Sequence, residues 1–286
     1  MIRLENLCIG YGSHQVLFDI CADIERGQLV SVIGPNACGK STMLKAIEGI
    51  LPLWSGEVFA DGVAISDMRR GDIAKRISYL AQGRSTPDMT VGQMVLHGRF
   101  PHLSYPRVYS EKDRRIAREA MEKVGVDNVE GSAMSDLSGG MRQNAYIAMA
   151  LAQDTEYILL DEPTTYLDIA HQLDLMRMLR TLAQGGKGIV AVMHDIPLAL
   201  GYSDRIIVLE SGRIAANGTP DQPPKNGSKN INMYKSLLIF TIRICKFLVH
   251  ILLELVLVGS TFKHHSIVFE RLFLRIGNYR IILLLA

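Results

Sequence analysis

The segment Gly34-Pro-Asn-Ala-Cys-Gly39-Lys40-Ser41 constrains this chain more than any other stretch. It fits the pattern G-x-x-x-x-G-K-[ST], follows the short apolar run Leu29 to Ile33, and precedes a helix-compatible stretch. That context is a physical requirement. A buried strand has to deliver the loop to a sheet edge, and glycines have to let main-chain N–H groups curl around phosphate oxygens at a helix start. Lys40 then supplies a point charge and the Ser41 hydroxyl a ligand for a divalent cation. Gly34, Pro35, Asn36, Ala37, Cys38, Gly39, Lys40, Ser41 and the adjoining Thr42 therefore form a candidate cradle for a nucleoside triphosphate.

Two further apolar runs, Tyr157 to Leu160 and Ile189 to Met193, read as buried strands with their polar chemistry immediately after the last apolar residue. In an open α/β sheet that carboxyl edge is where ligands bind. After the first run, Asp161 is placed to hold a metal and Glu162 to orient and deprotonate an attacking water, with Pro163 stopping the strand. Leu137-Ser138-Gly139-Gly140 precedes an alanine- and methionine-rich helix over Met141 to Gln153, a second helix start suited to an anion. Elsewhere, Arg3 to Ile9 and Val16 to Ile24 read as antiparallel strands around a Gly10–Ser13 turn, and Ser110 to Val124 as a charged helix. Ile206 to Leu209 and Arg213 to Ala216 read as a hairpin turning at Glu210-Ser211-Gly212.

With 286 residues, 48% of them hydrophobic and 21% charged, the chain can bury a substantial core, which excludes wholesale disorder. Four scattered cysteines exclude a paired zinc motif and a secreted disulfide scaffold, and fit a reducing cytosol. The N-terminus lacks the apolar stretch of a signal peptide.

Taken together and in this order, the motifs resemble those of the ATP-binding cassette (ABC) ATPases over roughly residues 1 to 220. The resemblance implies an α/β fold: a P-loop NTPase cassette with a RecA-like core, an antiparallel β subdomain and a helical subdomain at about residues 85 to 155. It implies ATP and Mg²⁺ as cofactors, the ion held by Ser41, Gln82 and Asp161, with Glu162 and His194 catalytic. Tyr11 resembles the aromatic that stacks on adenine, and Gln82 the glutamine that contacts Mg²⁺ and senses the permease. Asp168 resembles the aspartate that crosses a dimer interface, and Ser138, Gly139 and Gly140 the motif that closes over the partner subunit's ATP. Read singly, these would be a surface tyrosine, a loop glutamine, a helix-capping aspartate and a core histidine.

Met141 stands where the family usually has glutamine, Asn144 where arginine is commoner, and Ala37 where glycine is frequent. None removes an essential donor, so altered tuning with retained activity is expected. A single cassette with no coiled-coil insertion and no fused permease resembles a stand-alone importer ATPase. His97 to Arg107 and Thr164 to Gln172 are similar to ATPases for ferric siderophores, haem and cobalamin. The expected cargo is an iron complex, a ferric siderophore first; haem, cobalamin, a divalent metal, or a soluble ATPase without transport remain the alternatives. The implied partners are a second copy of the chain, an integral-membrane permease docked near Gln82 and residues 97 to 107, and indirectly an extracytoplasmic substrate-binding protein. No nucleic-acid partner is expected, and the location is peripheral, on the cytoplasmic face of the membrane.

From residue 221 to 286 the chain turns basic and leucine/isoleucine-rich, and the likeness stops. Residues 236 to 258 are long enough to span a bilayer, but Arg243, Lys246 and Glu254 lie inside, each costing about 2.5–3.5 kcal/mol near a span centre. With His250 they recur at helical steps, so this tail reads as an amphipathic helix or as an out-of-frame, non-native ending.

Overall fold

The computed structural model of the chain describes residues 1–83, 86–165 and 167–220, and the backbone of 274–276 and 279–281. It divides into two compact units, Met1–Ile231 and Asn232–Ala286. The described elements of the first are, in chain order, β1 (Ile2–Tyr11), β2 (His14–Ile24), β3 (Leu29–Ile33), α1 (Lys40–Ile47), β4 (Ser55–Ala60), β5 (Val63–Ala64), α2 (Arg70–Ala74) and β6 (Ile77–Leu80). There follow α3 (Val91–His97), α4 (Glu111–Val124), α5 (Gly139–Ala152), β7 (Tyr157–Asp161), α6 (Ile169–Gln184), β8 (Gly188–Val192), α7 (Ile196–Tyr202), β9 (Arg205–Glu210) and β10 (Arg213–Gly218). In the second unit, Leu274–Ile276 pairs antiparallel with Tyr279–Ile281. The amphipathic-helix reading of 236 to 258 lies outside the described residues.

β9, β3, β8, β7 and β6 lie side by side as a parallel sheet, extended by β10 antiparallel to β9. Strict two-residue alternation splits its side chains between two cores. Leu29, Ile33, Ile158, Leu160, Ile189, Ala191, Ile206 and Val208 pack toward α3 to α7. Val30, Val32, Tyr157, Leu159, Val190, Val192, Ile207 and Leu209 pack toward α1 and the antiparallel sheet β2-β1-β4-β5. Both faces are apolar, so polar groups are carried at the strand ends.

Observed boundaries differ from the expected ones for local reasons. The Ser138 side chain accepts from the Met141 N–H at 3.3 Å, so α5 begins at Gly139, two residues before the expected start. Asp161 still pairs with Val192, which carries β7 one residue beyond Leu160. β8 ends at Val192, leaving Met193 just outside it. The late hairpin turns on Ser211 and Gly212 alone, both at positive φ (49° and 74°), so Glu210 stays in the strand. The turn between β1 and β2 likewise shrinks to Gly12-Ser13. Ser110 accepts from the Asp113 N–H and Asp113 reaches back to the Ser110 N–H, a capping box that fixes the start of α4.

Below the phosphate-loop helix lies an isolated acid. Glu48, the C-cap of α1, has one buried carboxylate oxygen with no hydrogen-bond partner among the described residues. Burial pushes its pKa up to about 7, with Arg70 partly opposing. The folded form thus keeps a proton that the unfolded chain releases near the ordinary glutamate value. Stability is fully present below that value and falls as pH rises to about 7. Urea unfolding of the wild type should therefore weaken by roughly 2–3 kcal/mol between pH 4.5 and pH 7.5 from this group. Glu48→Gln should flatten that slope; an unchanged slope in the variant would contradict the assignment.

Candidate functional site

Each chemistry-bearing residue expected from the sequence at the sheet edge begins where a parallel strand stops. Gly34 leaves β3, Gln82 follows β6 by two residues, Asp161 closes β7, and His194 follows β8 by two residues. The ladder aligns these ends: Val32 and Asp161 both pair with Val192.

The phosphate loop packs against the end of β9. A methyl group at Gly34 would sit 2.1 Å from the Leu209 carbonyl oxygen and 2.9 Å from the Cys38 Sγ, so only glycine fits. Ala37 takes φ 62°, a left-handed conformation that costs an L-residue about 1 kcal/mol, so the departure from glycine carries local strain. The Lys40 ammonium folds over the loop and donates to the carbonyls of Gly34 (2.9 Å) and Pro35 (2.8 Å). Cys38 is a buried free thiol whose pKa burial pushes up, which suits a small packing residue better than a reactive one. The half-exposed Tyr11 brings its hydroxyl within 3.5 Å of Thr42 Oγ1, above the first turn of α1.

Ser41 Oγ donates to Asp161 Oδ1 at 3.0 Å, and the Tyr79 hydroxyl donates to Oδ2 at 3.3 Å. Burial raises the Asp161 pKa and these two donors partly offset it. Glu162 adopts φ 53°, which turns its side chain away from the ladder. There Gln82 Nε2 and Thr165 Oγ1 donate to Oε2 while His194 Nε2 meets Oε1. One carboxylate is thus gripped from β6 and β8 on either side of its own strand. Asp195, next to His194, accepts from the Leu198 N–H at 3.0 Å and anchors that end to α7.

The second anion-type motif stands apart. Among the described residues no hydrogen bond joins Ser138, Gly139 or Gly140 to the phosphate loop, and Ser138 is the cap of α5. Asp168 is the cap of α6, accepting from the His171 N–H at 2.9 Å and meeting His171 Nδ1 at 2.8 Å; these contacts hold its carboxyl below the usual range. Tyr166 lies outside the described residues. Asn144 donates to the Val124 carbonyl at 3.1 Å, closing the end of α4. Of the 97 to 107 stretch, Arg99 and His102 turn inward, to Asp113 (3.0 Å) and to the Gln153 carbonyl (2.8 Å). Tyr105 is fully exposed, and Arg107 stacks over Phe100 with 4.7 Å to the ring centre.

Tyr79 and Gln143 were not marked out by the sequence, and Thr165 and Gln172 entered only as members of the Thr164 to Gln172 stretch. Tyr79 sits on the four-residue strand β6, whose Ser78 interrupts an apolar signal. Gln143 acts through the main-chain carbonyl of Pro163, 20 residues on, a contact with no local signature, whereas Gln172 reaches back to the carbonyls of Thr164 and Leu167 in the turn just before its own helix.

The chain matches the family model described as ABC transporter over residues 17–165. It is 40% identical over 223 residues to the ferric enterobactin transport ATP-binding protein FepC of Escherichia coli (strain K12), covering 77% of this chain and 82% of that protein. It is 43% identical over 220 residues to the iron(3+)-hydroxamate import ATP-binding protein FhuC of Bacillus subtilis (strain 168), covering 76% and 82%. Among solved structures it resembles the dimeric structure of MJ0796, a bacterial ABC transporter cassette, with a TM-score of 0.69 at 29% identity, covering 78% of this chain and 100% of that one.

The phosphate loop gives two opposed expectations. Gly34→Ala should lower the melting temperature and weaken binding of a fluorescent ATP analogue roughly tenfold or more, since the loop must leave the β9 end. Ala37→Gly should instead stabilise the chain by about 1 kcal/mol in urea unfolding by relieving the left-handed alanine. Equal effects of the two changes would contradict this reading of the loop.

Proposed function

Because the chain belongs to the ABC transporter family, we propose that it is the ATP-hydrolysing subunit of an importer that drives uptake of an iron complex, a ferric siderophore, through a membrane permease. The observation that carries the hydrolytic reading is the grip on Glu162 by Gln82 and His194 beside the Ser41–Asp161 pair. Glu162 orients the attacking water and takes its proton, and His194 fixes that carboxylate and the γ-phosphate side of the site. Lys40 and the N–H groups from Gly34 to Thr42 hold the phosphates, and Tyr11 stacks on the adenine.

Mg²⁺ fits the donors available: the Ser41 hydroxyl, the Asp161 carboxylate and the Gln82 amide are hard ligands at the edge of the glycine cradle. When bound, that ion neutralises charge on the β- and γ-phosphates. Among the described residues the Ser138–Gly140 helix start has no hydrogen bond to its own phosphate loop, which supports a head-to-tail homodimer in which it closes over the partner's ATP and Asp168 lies at the interface. Each chain alone then holds half of a site, and turnover by the isolated monomer is weak. The dimer sits on the cytoplasmic face of the membrane. The exposed Tyr105 and the Phe100–Arg107 pair face the permease, which receives cargo from an extracytoplasmic binding protein. No helix among the described residues is long and apolar enough to cross a membrane.

Reconstitution with the permease tests both halves of this proposal. Ferric-siderophore uptake should depend on ATP and exceed haem and cobalamin uptake. Glu162→Gln should cut turnover by roughly 100-fold or more while ATP binding persists, because only the base is removed. Wild-type turnover in that variant would refute the assignment of the base, and preferential uptake of another cargo would refute the siderophore.

A further inference from the structure

The turn that carries Glu162 is anchored by two side-chain amides from different helices. Pro163 is buried and its carbonyl accepts from Gln143 Nε2 of α5 at 2.9 Å. Gln172 Nε2 of α6 donates to the carbonyls of Thr164 (3.3 Å) and Leu167 (3.0 Å). Within the turn, the Thr165 N–H reaches the Glu162 carbonyl at 3.3 Å and the Leu167 N–H the Thr164 carbonyl at 3.2 Å. The first turn of α5 also lies against the same segment: a methyl group at Gly140 would meet Leu167 Cδ2 at 3.4 Å. Gln143 is three residues past Gly140, on the same helical face.

We propose that Gln143 is a positioning residue: its bond to Pro163 makes the Ser138–Gly140 helix start and the Glu162 turn of one subunit move as a unit. The inference rests on the ATPase reading above. Glu162 is fixed on one side by the ladder residue Asp161 and on the other by Pro163, so its left-handed φ of 53° persists only while Pro163 is held. If the first turn of α5 shifts, Pro163 either follows it or leaves a buried carbonyl unpaired, an outcome disfavoured in a packed interior. Closure of that helix start over a partner's nucleotide is thereby reported to the carboxylate acting on the subunit's own nucleotide.

Gln143→Glu keeps the shape but sets a carboxylate against the Pro163 carbonyl; Gln143→Ala removes the contact. In the full chain, phosphate release at saturating ATP should fall roughly tenfold or more in both, as expected when a catalytic group is misplaced by a fraction of an ångström to an ångström. The dissociation constant of a fluorescent ATP analogue should stay within about twofold, and the melting temperature should fall by only a few degrees, the cost of one unpaired carbonyl. Gln172→Ala, which loosens the other anchor, should show the same split. Unchanged turnover in both Gln143 variants overturns the proposal. So does a loss of turnover matched by lost nucleotide affinity or by unfolding of the isosteric Gln143→Glu, which would mark a purely structural contact. Failure of the wild-type chain to bind or hydrolyse ATP would count against the proposed function instead.

Discussion

The parallel ladder β3–β8–β7 sets the height at which every reactive group emerges. Val32, Val192 and Asp161 share one level across three strands, and the Met193 N–H still donates to the Val32 carbonyl at 3.0 Å. Because both faces of these strands are apolar, a polar side chain within them would need a buried partner, as Ser31 finds in Ser203 at 2.6 Å. Polar chemistry is therefore displaced to the residues just past the ladder. Gly34, Glu162 and His194 meet at one edge because their strands end together, and the loops need only continue from fixed points.

The same geometry explains the balance at Asp161. As the last ladder residue of β7 it is held at 3% exposure, where burial disfavours its charge, and the side chains that donate to it among the described residues are two neutral hydroxyls. Tyr79 bears the reciprocal effect, since burial and the neighbouring carboxylate push its own pKa up and keep it a donor. A carboxylate so placed gains more from a cation than a solvated one does, because its desolvation is already part of the fold. Glu162, one residue later and out of the ladder, has a different set of partners: an amide, a threonine hydroxyl and an imidazole. Two adjacent acids thus acquire different surroundings from a single change of backbone conformation.

What the sequence made legible was local. The phosphate loop is contiguous, and the strand before it is a five-residue apolar run; the Asp161-Glu162 pair announces a strand end; Ser110 and Ser138 mark helix starts through capping chemistry. β4 escaped notice because Gly56 and Glu57 break its alternation, and β6 because four residues containing a buried serine carry little periodic signal. α6 was visible only through Asp168, the residue that caps it. Tyr79 and Gln143 were illegible for a further reason: their partners Asp161 and Pro163 lie far along the chain, and such pairings exist only after the sheet has ordered it.

The substitution at position 141 shows how main-chain and side-chain roles separate at one helix start. Met141 provides the N–H that Ser138 accepts, a contact any residue but proline supplies, while its side chain packs partly buried against the helical core. The cap is therefore indifferent to the loss of an amide at this position. Two residues on, Gln143 uses its amide rather than its backbone, and the buried Pro163 carbonyl offers it an acceptor that no methionine could satisfy. Tolerance at 141 and dependence at 143 follow from which atoms each residue contributes: the first is held by its peptide group, the second holds another peptide group in place.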